Sequence, residues 1–292
     1  MTMKTLKISF LAAVFCAALH AFCAGKILVA GSGWDRIMLL DRATGKAEWT
    51  YKIPAHSECN GAVLSRDGLL FYSNKKNARL AAPSGETVWE YPAADGEEIQ
   101  SAVALKNGNF LVAICGRPAR IVELSKDGRP VRQAEFDTGV KNVHGQFRQV
   151  SVTRRNTYLL SIMDRKTAVE LDKNGKFLRE IPASFSAFST KELPGGNWLL
   201  SGSGGHVQEI NPKTGEVVRD ISNKNLKGAK LLYATEAVML KNGNILVANW
   251  NGHSDDKSQP KLVEIDRDDN VVWSLDSPED IKNISAFFVP QR

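Results

Sequence analysis

A unit of four short apolar segments separated by tight turns recurs along this chain, and no other feature constrains the fold as strongly. The turns at residues 106–109 and 241–244 both read Lys-Asn-Gly-Asn and lie between apolar segments. Asn-Gly and Asp-Gly favour hairpins because both central residues take positive φ. The segments are short and rich in β-branched and aromatic residues, so they predict strands and not helices.

The period of the unit is read from the turn between its third and fourth segments. Successive turns are 41, 43, 47, 39 and 55 residues apart, and an insertion near residues 251–260 accounts for the longest interval. A four-stranded blade of a β-propeller has a period of roughly 40–50 residues. The sequence therefore predicts an all-β propeller of four-stranded antiparallel blades. The turns begin at Asp41, Ala82, Ser125, Asp172, Asn211 and Asp266.

The two ends of the sequence are predicted to complete one blade between them. Residues 27–30, 37–40 and 48–51 have the pattern of second, third and fourth strands, whereas no first strand precedes them. Residues 284–289 supply the missing pattern, so we expect the C-terminal strand to join the N-terminal blade. Closure of this kind removes the open edges of a sheet. The predicted count is six blades.

The N-terminus has the pattern of a secretory signal peptide. Lys4 and Lys7 precede an almost wholly apolar run at residues 8–19, which is shorter than the roughly 20 residues of a membrane span. We expect cleavage after Cys23 or one residue later; with the first site, residues 1–23 are the signal peptide and residues 24–292 form a single propeller domain. Anchoring of a lipoprotein through Cys23 and a retained anchor are the alternatives. The protein is expected to be secreted or periplasmic.

The net charge and the composition limit the classes of binding partner. The formal net charge is +6, and two of these positive charges belong to the predicted signal peptide. No block of basic residues interleaved with aromatic residues is present, so nucleic acid is not an expected partner. We expect no transmembrane span in the mature chain, and a monomer. The remaining partners are a small anionic or sugar-like ligand, or another protein.

Residues 40–49, Leu-Asp-Arg-Ala-Thr-Gly-Lys-Ala-Glu-Trp, resemble the repeat of the PQQ-like, quinoprotein-type propellers. In that family, the Asp-x-x-Thr-Gly turn precedes a Trp that docks one blade on the next. Residues 266–273 are similar to the repeats of arylsulfotransferase-like six-bladed propellers. The resemblance implies a fold and not a chemistry. Quinoproteins of this type carry adjacent cysteines and a calcium site, whereas Cys59 and Cys115 lie in different blades, so we expect no cofactor and no metal.

Candidate binding residues lie where propellers usually hold ligands, on the face formed by the starts of first strands and the ends of second strands. This loop face is predicted to be rich in His, Arg, Trp and carboxylates. Its members include Lys75, Glu98, Phe188 and Tyr233. The ten chosen candidates are Trp34, His56, Glu58, Gln100, Arg117, His144, Arg148, Glu236, Trp250 and His253.

Each candidate also has a structural interpretation. His144 with Arg148 suits an anion, because a guanidinium matches carboxylate or phosphate oxygens, but Arg148 equally suits an ion pair with Glu58, Glu98 or Glu236. His253 suits a metal ligand or an acid–base group, or a solvated loop. Trp34 and Trp250 suit stacking on a sugar or the packing of blades. Cys59 and Cys115 suit a disulfide or two buried thiols.

The function that this sequence favours is an exported binding module of unknown ligand that uses the loop face. The alternative is a hydrolase or transferase that acts on an anionic substrate through His144 or His253 with Arg148, as the arylsulfotransferase-like resemblance implies. A purely structural scaffold is the third possibility. Signatures such as Gly-x-Ser-x-Gly and His-Glu-x-x-His are absent from the sequence, which makes an enzyme the less favoured interpretation.

Overall fold

The computed structural model describes residues 25–254, 256–276 and 281–290. The predicted signal peptide and Cys23 lie outside these residues. The described chain is all-β apart from one short 3-10 helix, Val143–Gly145. The strands are β1 (Lys26–Asp41), β2 (Ala47–Glu58), β3 (Gly61–Leu64), β4 (Leu70–Ser73), β5 (Asn77–Ala81), β6 (Thr87–Pro92), β7 (Glu98–Ala104), β8 (Phe110–Cys115), β9 (Ala119–Leu124), β10 (Pro130–Phe136), β11 (Val150–Val152), β12 (Tyr158–Ile162), β13 (Thr167–Leu171), β14 (Phe177–Pro182), β15 (Ala187–Glu192), β16 (Trp198–Gly202), β17 (Val207–Ile210), β18 (Val217–Ile221), β19 (Ala234–Met239), β20 (Ile245–Asn249), β21 (Leu262–Ile265), β22 (Val271–Leu275) and β23 (Asn283–Phe288).

The strands form six antiparallel sheets, which are the blades of a β-propeller. Blades 2 to 6 each take four consecutive strands, from β3–β6 through to β19–β22. Blade 1 has the order β2-β1-β23, and its long β1 supplies both central strands because it folds back on itself. The backbone N–H of Arg42 donates to the carbonyl of Gly25 at 2.9 Å and joins the two ends of β1. The predicted fold class and blade count are confirmed.

Blade 1 closes the ring as the sequence predicts. Strand β23 pairs antiparallel with the first half of β1, with Leu28 opposite Phe288 and Ala30 opposite Ala286. The first strands contact one another in the circular order β23, β3, β7, β11, β15, β19 and back to β23. The innermost strands therefore line a central channel.

The hydrophobic core is divided among the blade junctions. Six clusters of buried side chains are present, and each lies between two neighbouring blades, as where blade 2 meets blade 3 around Phe71 and Phe110. The fourth-strand tryptophans add hydrogen bonds across three junctions. The indole N–H groups of Trp49, Trp89 and Trp273 donate to carbonyls in the turn of the following blade, at 3.3, 2.9 and 3.2 Å. These tryptophans dock blades, as the structural interpretation of the repeat expects.

The hairpin turns are held by the third strands. In blade 3 the Glu123 carboxylate accepts hydrogen bonds from the side-chain amides of Asn107 and Asn109, at 3.0 and 2.7 Å. Glu264 binds the matching two Asn side chains of blade 6 at 2.9 and 2.6 Å. Gly108 lies between the two asparagines of the blade 3 turn with φ of 86°, where a side chain would be strained. No helix of the described residues is long and apolar enough to cross a membrane.

Candidate functional site

Two cavities lie along the central channel, one at each end. The cavity at the loop face has a volume of about 270 Å³, and we call it the loop-face pocket. The cavity at the opposite end has a volume of about 820 Å³ and is lined by small apolar residues of the first strands together with five Lys and Arg side chains. The loop-face pocket is lined by Ser32, Glu58, Asn60, His144, Arg148, Met163, Phe188, Tyr233, Thr235, Trp250, His253 and Ser285.

One wall of the loop-face pocket is charged: Glu58, His144 and Arg148 line it, and Lys75 and Glu98 lie directly behind them. The guanidinium of Arg148 is buried and forms an ion pair with Glu58, with Nε 3.3 Å from Oε1. Nδ1 of His144 lies 2.8 Å from Oε2 of Glu98. The ammonium of Lys75 lies 3.1 Å from Glu98 and 3.6 Å from Glu58. Two cations and two carboxylates thus alternate along this wall, and their formal charges cancel.

The contacts of His144 fix its tautomer. Nε2 lies 2.7 Å from a terminal nitrogen of Arg148, which is a donor in every state, so Nε2 accepts. Nδ1 then carries the proton and donates to Glu98. A second terminal nitrogen of Arg148 donates to the carbonyls of His144 and Phe147. Most N–H groups of Arg148 are therefore already committed within the protein.

Glu98 is the group of this wall with the most perturbed titration. Burial by itself raises the pKa of a carboxyl, but hydrogen bonds from His144 and Lys75, together with Coulombic attraction to both groups, outweigh it and hold the pKa of Glu98 at about 2. The Gln100 side chain also donates to Oε2 of Glu98 at 2.7 Å. Glu98 is therefore ionised wherever the network is intact.

The opposite wall is aromatic. Phe188 meets Tyr233 edge to face with ring centroids 5.9 Å apart, and Tyr233 meets Trp250 in the same way at 6.0 Å. The ring of His253 stands on Trp250 at 4.6 Å with an interplanar angle of 82°. The indole N–H of Trp250 donates to the hydroxyl of Ser32 at 2.7 Å, which fixes the indole ring. Four rings from blades 5 and 6 and the insertion thus form one continuous surface.

A polar plug separates the loop-face pocket from the wider cavity. The side-chain amide of Gln149 donates to Glu236 and to the carbonyls of Asn60 and Ser285, at 3.2 to 3.4 Å. Glu236 also accepts the backbone N–H of Phe287 at 2.8 Å and pairs with Lys191. These residues come from five different blades, so the plug ties the closing strand β23 to the rest of the ring.

The structure brings together five of the ten candidates chosen from the sequence: Glu58, His144, Arg148, Trp250 and His253 all line the loop-face pocket. Among the ion-pair partners considered for Arg148, Glu58 is the one it contacts. Gln100 lies one layer below, fully buried between Asn60 and Glu98. Glu236 belongs to the plug and to the wider cavity.

The other three candidates lie away from the loop-face pocket. Trp34 is 2% exposed and packs in the core between blades 1 and 6, which matches its structural interpretation. His56 is exposed at a φ of 59° in the loop-side end of β2. Arg117 donates to the carbonyl of Lys141 at the edge of the face. Their positions depend on how far each loop reaches toward the axis, which the residue types do not reveal.

Several pocket residues were not among the ten candidates. Phe188 and Tyr233 belong to the predicted loop face, where His and Arg were preferred to Phe and Tyr. Lys75 and Glu98 belong to the same face and lie behind the pocket wall, in contact with Glu58 and His144. Ser285 lacks any chemical signal, but it has the same register in β23 as Asn60 has before β3, because Ala286 and Gly61 occupy equivalent positions. Aligning all six first strands would have identified it.

The two cysteines of the described chain are free and buried. Burial raises the pKa of Cys59 and of Cys115 to about 12, so both are protonated thiols at neutral pH. Cys115 donates to the carbonyl of Phe147 at 3.3 Å. Within residues 25–254, 256–276 and 281–290, no group of three His, Cys, Asp or Glu side chains could hold a metal ion.

The fold and the pocket define the class of the protein: a six-bladed β-propeller with a small pocket at the loop end of its channel. Similar solved structures share this fold. A protein of unknown function from Bacteroides caccae has 31% identity and a TM-score of 0.85, over 90% of this chain and 97% of that one. A catalytically inactive virginiamycin B lyase from Staphylococcus aureus, solved with quinupristin, has 13% identity and a TM-score of 0.60, over 90% and 83%. The WD40 propeller domain of Doa1 has 18% identity and a TM-score of 0.60, over 82% and 74%.

Residues 32–270 match the family described as Mala_s_1-like, Mal s 1 allergenic protein-like, and the chain belongs to this family. No curated protein matches the sequence. The resemblance to quinoprotein-type and arylsulfotransferase-like repeats is not confirmed by these comparisons. The lyase and the WD40 domain are less than 25% identical to this chain, so they bear on its fold alone.

Proposed function

We propose that this protein is an exported binding module that holds a small, uncharged, hydroxyl-rich ligand, such as a single sugar ring, in the loop-face pocket. The observation that carries the proposal is the pairing of a charge-neutral polar wall with an aromatic wall. Arg148 and Lys75 are balanced by Glu58 and Glu98, so the pocket offers no surplus charge to a charged ligand.

The aromatic wall supplies the apolar contact that a sugar ring needs. Tyr233 and Trp250 line the pocket and are held by neighbouring rings, and aromatic side chains of this kind suit the C–H surface of a sugar. Polar partners lie close by: the Ser32 hydroxyl, the Glu58 carboxylate and the ring of His253. At about 270 Å³, the pocket is slightly below the roughly 300–1,000 Å³ of typical ligand sites, which favours a ligand of about one ring.

An anionic ligand is less well supported. Arg148 would have to release Glu58, His144 or backbone carbonyls before gripping an anion, and its burial makes that release costly. Catalysis is not part of the proposal. His144, Arg148 and His253 do converge on one pocket, but both ring nitrogens of His144 are engaged by Glu98 and Arg148.

Binding is tested by titrating glucose, galactose, mannose and N-acetylglucosamine, with glucuronate as the charged counterpart, and following intrinsic tryptophan fluorescence and heat of binding. We expect at least one neutral sugar to bind and Trp250→Ala to weaken its affinity by at least 10-fold, because truncating an aromatic hot spot costs about 2 kcal/mol or more. His253→Ala should weaken it by less. His56→Ala is the matched control, because His56 is a loop-face histidine outside the pocket.

Two results would overturn the proposal. Binding of glucuronate without any neutral sugar would show that the pocket selects a charge. Binding that is equally strong in wild type and Trp250→Ala would place the ligand elsewhere. Export is tested separately: the N-terminal sequence of protein recovered outside the cytoplasm should begin at residue 24 or 25.

A further inference from the structure

Beneath the insertion that carries His253, two lysines converge on one asparagine. The ammonium of Lys261 donates to Oδ1 of Asn251 at 2.7 Å. The ammonium of Lys257 donates to the backbone carbonyl of the same Asn251 at 3.0 Å. Lys261 is 5% exposed and Asn251 is 1% exposed. We call these three residues the Asn251 cluster.

The Asn251 cluster has no countercharge among the described residues, because no carboxylate of residues 25–254, 256–276 or 281–290 lies within 4.0 Å of either ammonium. Asp256, which precedes Lys257 in sequence, is engaged by Ser258 and Gln259. Burial lowers the pKa of Lys261, and the charge of Lys257 lowers it further. A buried ammonium without an anion is costly, so such groups are normally paired.

A second observation points to the same missing partner. Nδ2 of Asn251 is buried and has no hydrogen-bond partner in the structure. Turning the amide over does not solve this, since the NH₂ group would then face the ammonium of Lys261 instead of accepting from it. Nδ2 and the Lys261 ammonium are separated by about 5 Å at most, because both are fixed by the same amide group. A single acceptor can contact both donors.

We propose that the Asn251 cluster is a binding site for one compact anion, either a free halide or the carboxylate of a small molecule. The anion would accept from Nδ2 of Asn251 and from Lys261, and would offset the two positive charges. Asn251 directly follows Trp250, so an anion there also fixes the base of the insertion that edges the loop-face pocket. The site is separate from that pocket, and its test does not depend on sugar binding.

Crystals of the wild-type protein soaked in sodium bromide test the site directly. We expect an anomalous bromide peak in contact with Nδ2 of Asn251 and Nζ of Lys261. In solution, replacing a bulky sulfonate by bromide at constant ionic strength should raise the melting temperature by about 2–4 °C. A larger rise with acetate than with bromide would assign the site to a carboxylate.

Variants separate this effect from general salt effects. Lys261→Met removes the buried charge and should abolish the bromide response. Lys230→Met is the matched control, because Lys230 is exposed on the neighbouring loop and its loss should leave the response intact. Should Lys261→Met fail to fold, Asn251→Asp gives a second route: it places a carboxylate beside Lys261 and should remove the bromide response without loss of stability.

The proposal fails if no bromide peak is found and the melting temperature of wild type does not depend on the anion. It also fails if Asp255, which lies outside the described residues, supplies the countercharge. In that case Asp255→Asn would destabilise the protein strongly and would create a bromide response that wild type lacks.

Discussion

Blades 1 and 2 differ from blades 3, 4 and 5 at one cross-strand pair near the base of each blade. In blades 1 and 2 a third-strand Leu lies opposite a fourth-strand Trp, as with Leu80 and Trp89. In blades 3, 4 and 5 the equivalent pair is Glu and Arg, as with Glu209 and Arg219. Both kinds of pair occupy the same cross-strand position, so the blade accepts either an apolar or a charged pair there.

The two kinds of pair also dock on the next blade differently. Trp89 packs against Phe71 and Phe110 at 5.5 Å and donates one neutral hydrogen bond to the following turn. Arg219 instead donates to the carbonyl of Asp266 at 2.6 Å and to the carboxylate of Asp269 at 2.7 Å. The first junction depends on burial and the second on charge, which predicts different responses to mutation, salt and pH.

Blade 6 combines the two kinds of pair, because a third-strand Glu lies opposite a fourth-strand Trp. Glu264 lies opposite Trp273, so its blade has no facing Arg. Arg42 of blade 1 takes that role, pairing with Glu264 and lying 4.7 Å above the Trp273 ring. In blade 6 the third-strand Glu thus receives its cation from the next blade, since its own fourth strand carries Trp at the facing position.

The largest loss of stability is expected from a mutation at an apolar blade junction. Trp89→Ala should lower the free energy of unfolding by roughly 2–3 kcal/mol, less than a fully buried Trp would cost, because the ring is half-buried. Urea denaturation measures this. Val88→Ala is the control, since Val88 is exposed on the same strand and should change stability little. Equal losses in both variants would contradict docking by the indole.

Mutation at a charged junction should cost less stability than mutation at an apolar one, and the cost should depend on salt concentration. Arg219→Gln removes two hydrogen bonds to the blade 6 turn and should cost about 1–2 kcal/mol at low ionic strength. In about 1 M NaCl the cost should shrink, because screening weakens the wild-type pair. The cost of Trp89→Phe should be the same at both salt concentrations. A salt-independent cost for Arg219→Gln would remove the distinction between the junctions.

Exchanging the charged cross-strand pair of blade 3 for the apolar pair of blade 2 should change the free energy of unfolding still less. Glu123→Leu should cost about 1 kcal/mol, because Asn107 and Asn109 lose their acceptor. Adding Arg132→Trp recreates the apolar pair of blade 2 and should recover part of this loss. A double-mutant cycle measured by urea denaturation gives the coupling between the two positions. Purely additive costs would mean that the pairs do not act as units.

Glu98, which joins blades 2, 3 and 4 at the loop face, should make the stability of the fold depend on pH in acid. Its pKa in the folded protein is about 2, below the ordinary value of 4.5, so it stabilises the fold fully above pH 4.5. That contribution is lost as the pH falls through about 2. Wild type should therefore lose more stability over this window than Glu98→Gln does, as followed by circular dichroism. Parallel pH profiles would contradict a stabilising network.

The elements predicted from the sequence best are those whose cause is local. Asn-Gly turns, short apolar strands and their spacing fixed the blade count, and the first-strand pattern at residues 284–289 placed the closing strand. The choice of site residues was less complete. His56 and His144 look alike in sequence, yet only His144 lies near Glu98 and Arg148. The residue types of a loop show which chemical groups it carries, but they do not show how close the loop comes to the channel axis.

The sequence by itself determined the propeller, its six blades and the blade that closes the ring, because hairpin turns and strand alternation depend on neighbours a few residues apart. Only the tertiary structure decided which loop residues share a pocket and which groups are left without a partner. The physical reason is that radial packing brings side chains from distant blades into the loop-face pocket, and that the folded insertion buries Asn251 and Lys261 together. Their pairing, or the lack of it, exists only once the ring has closed.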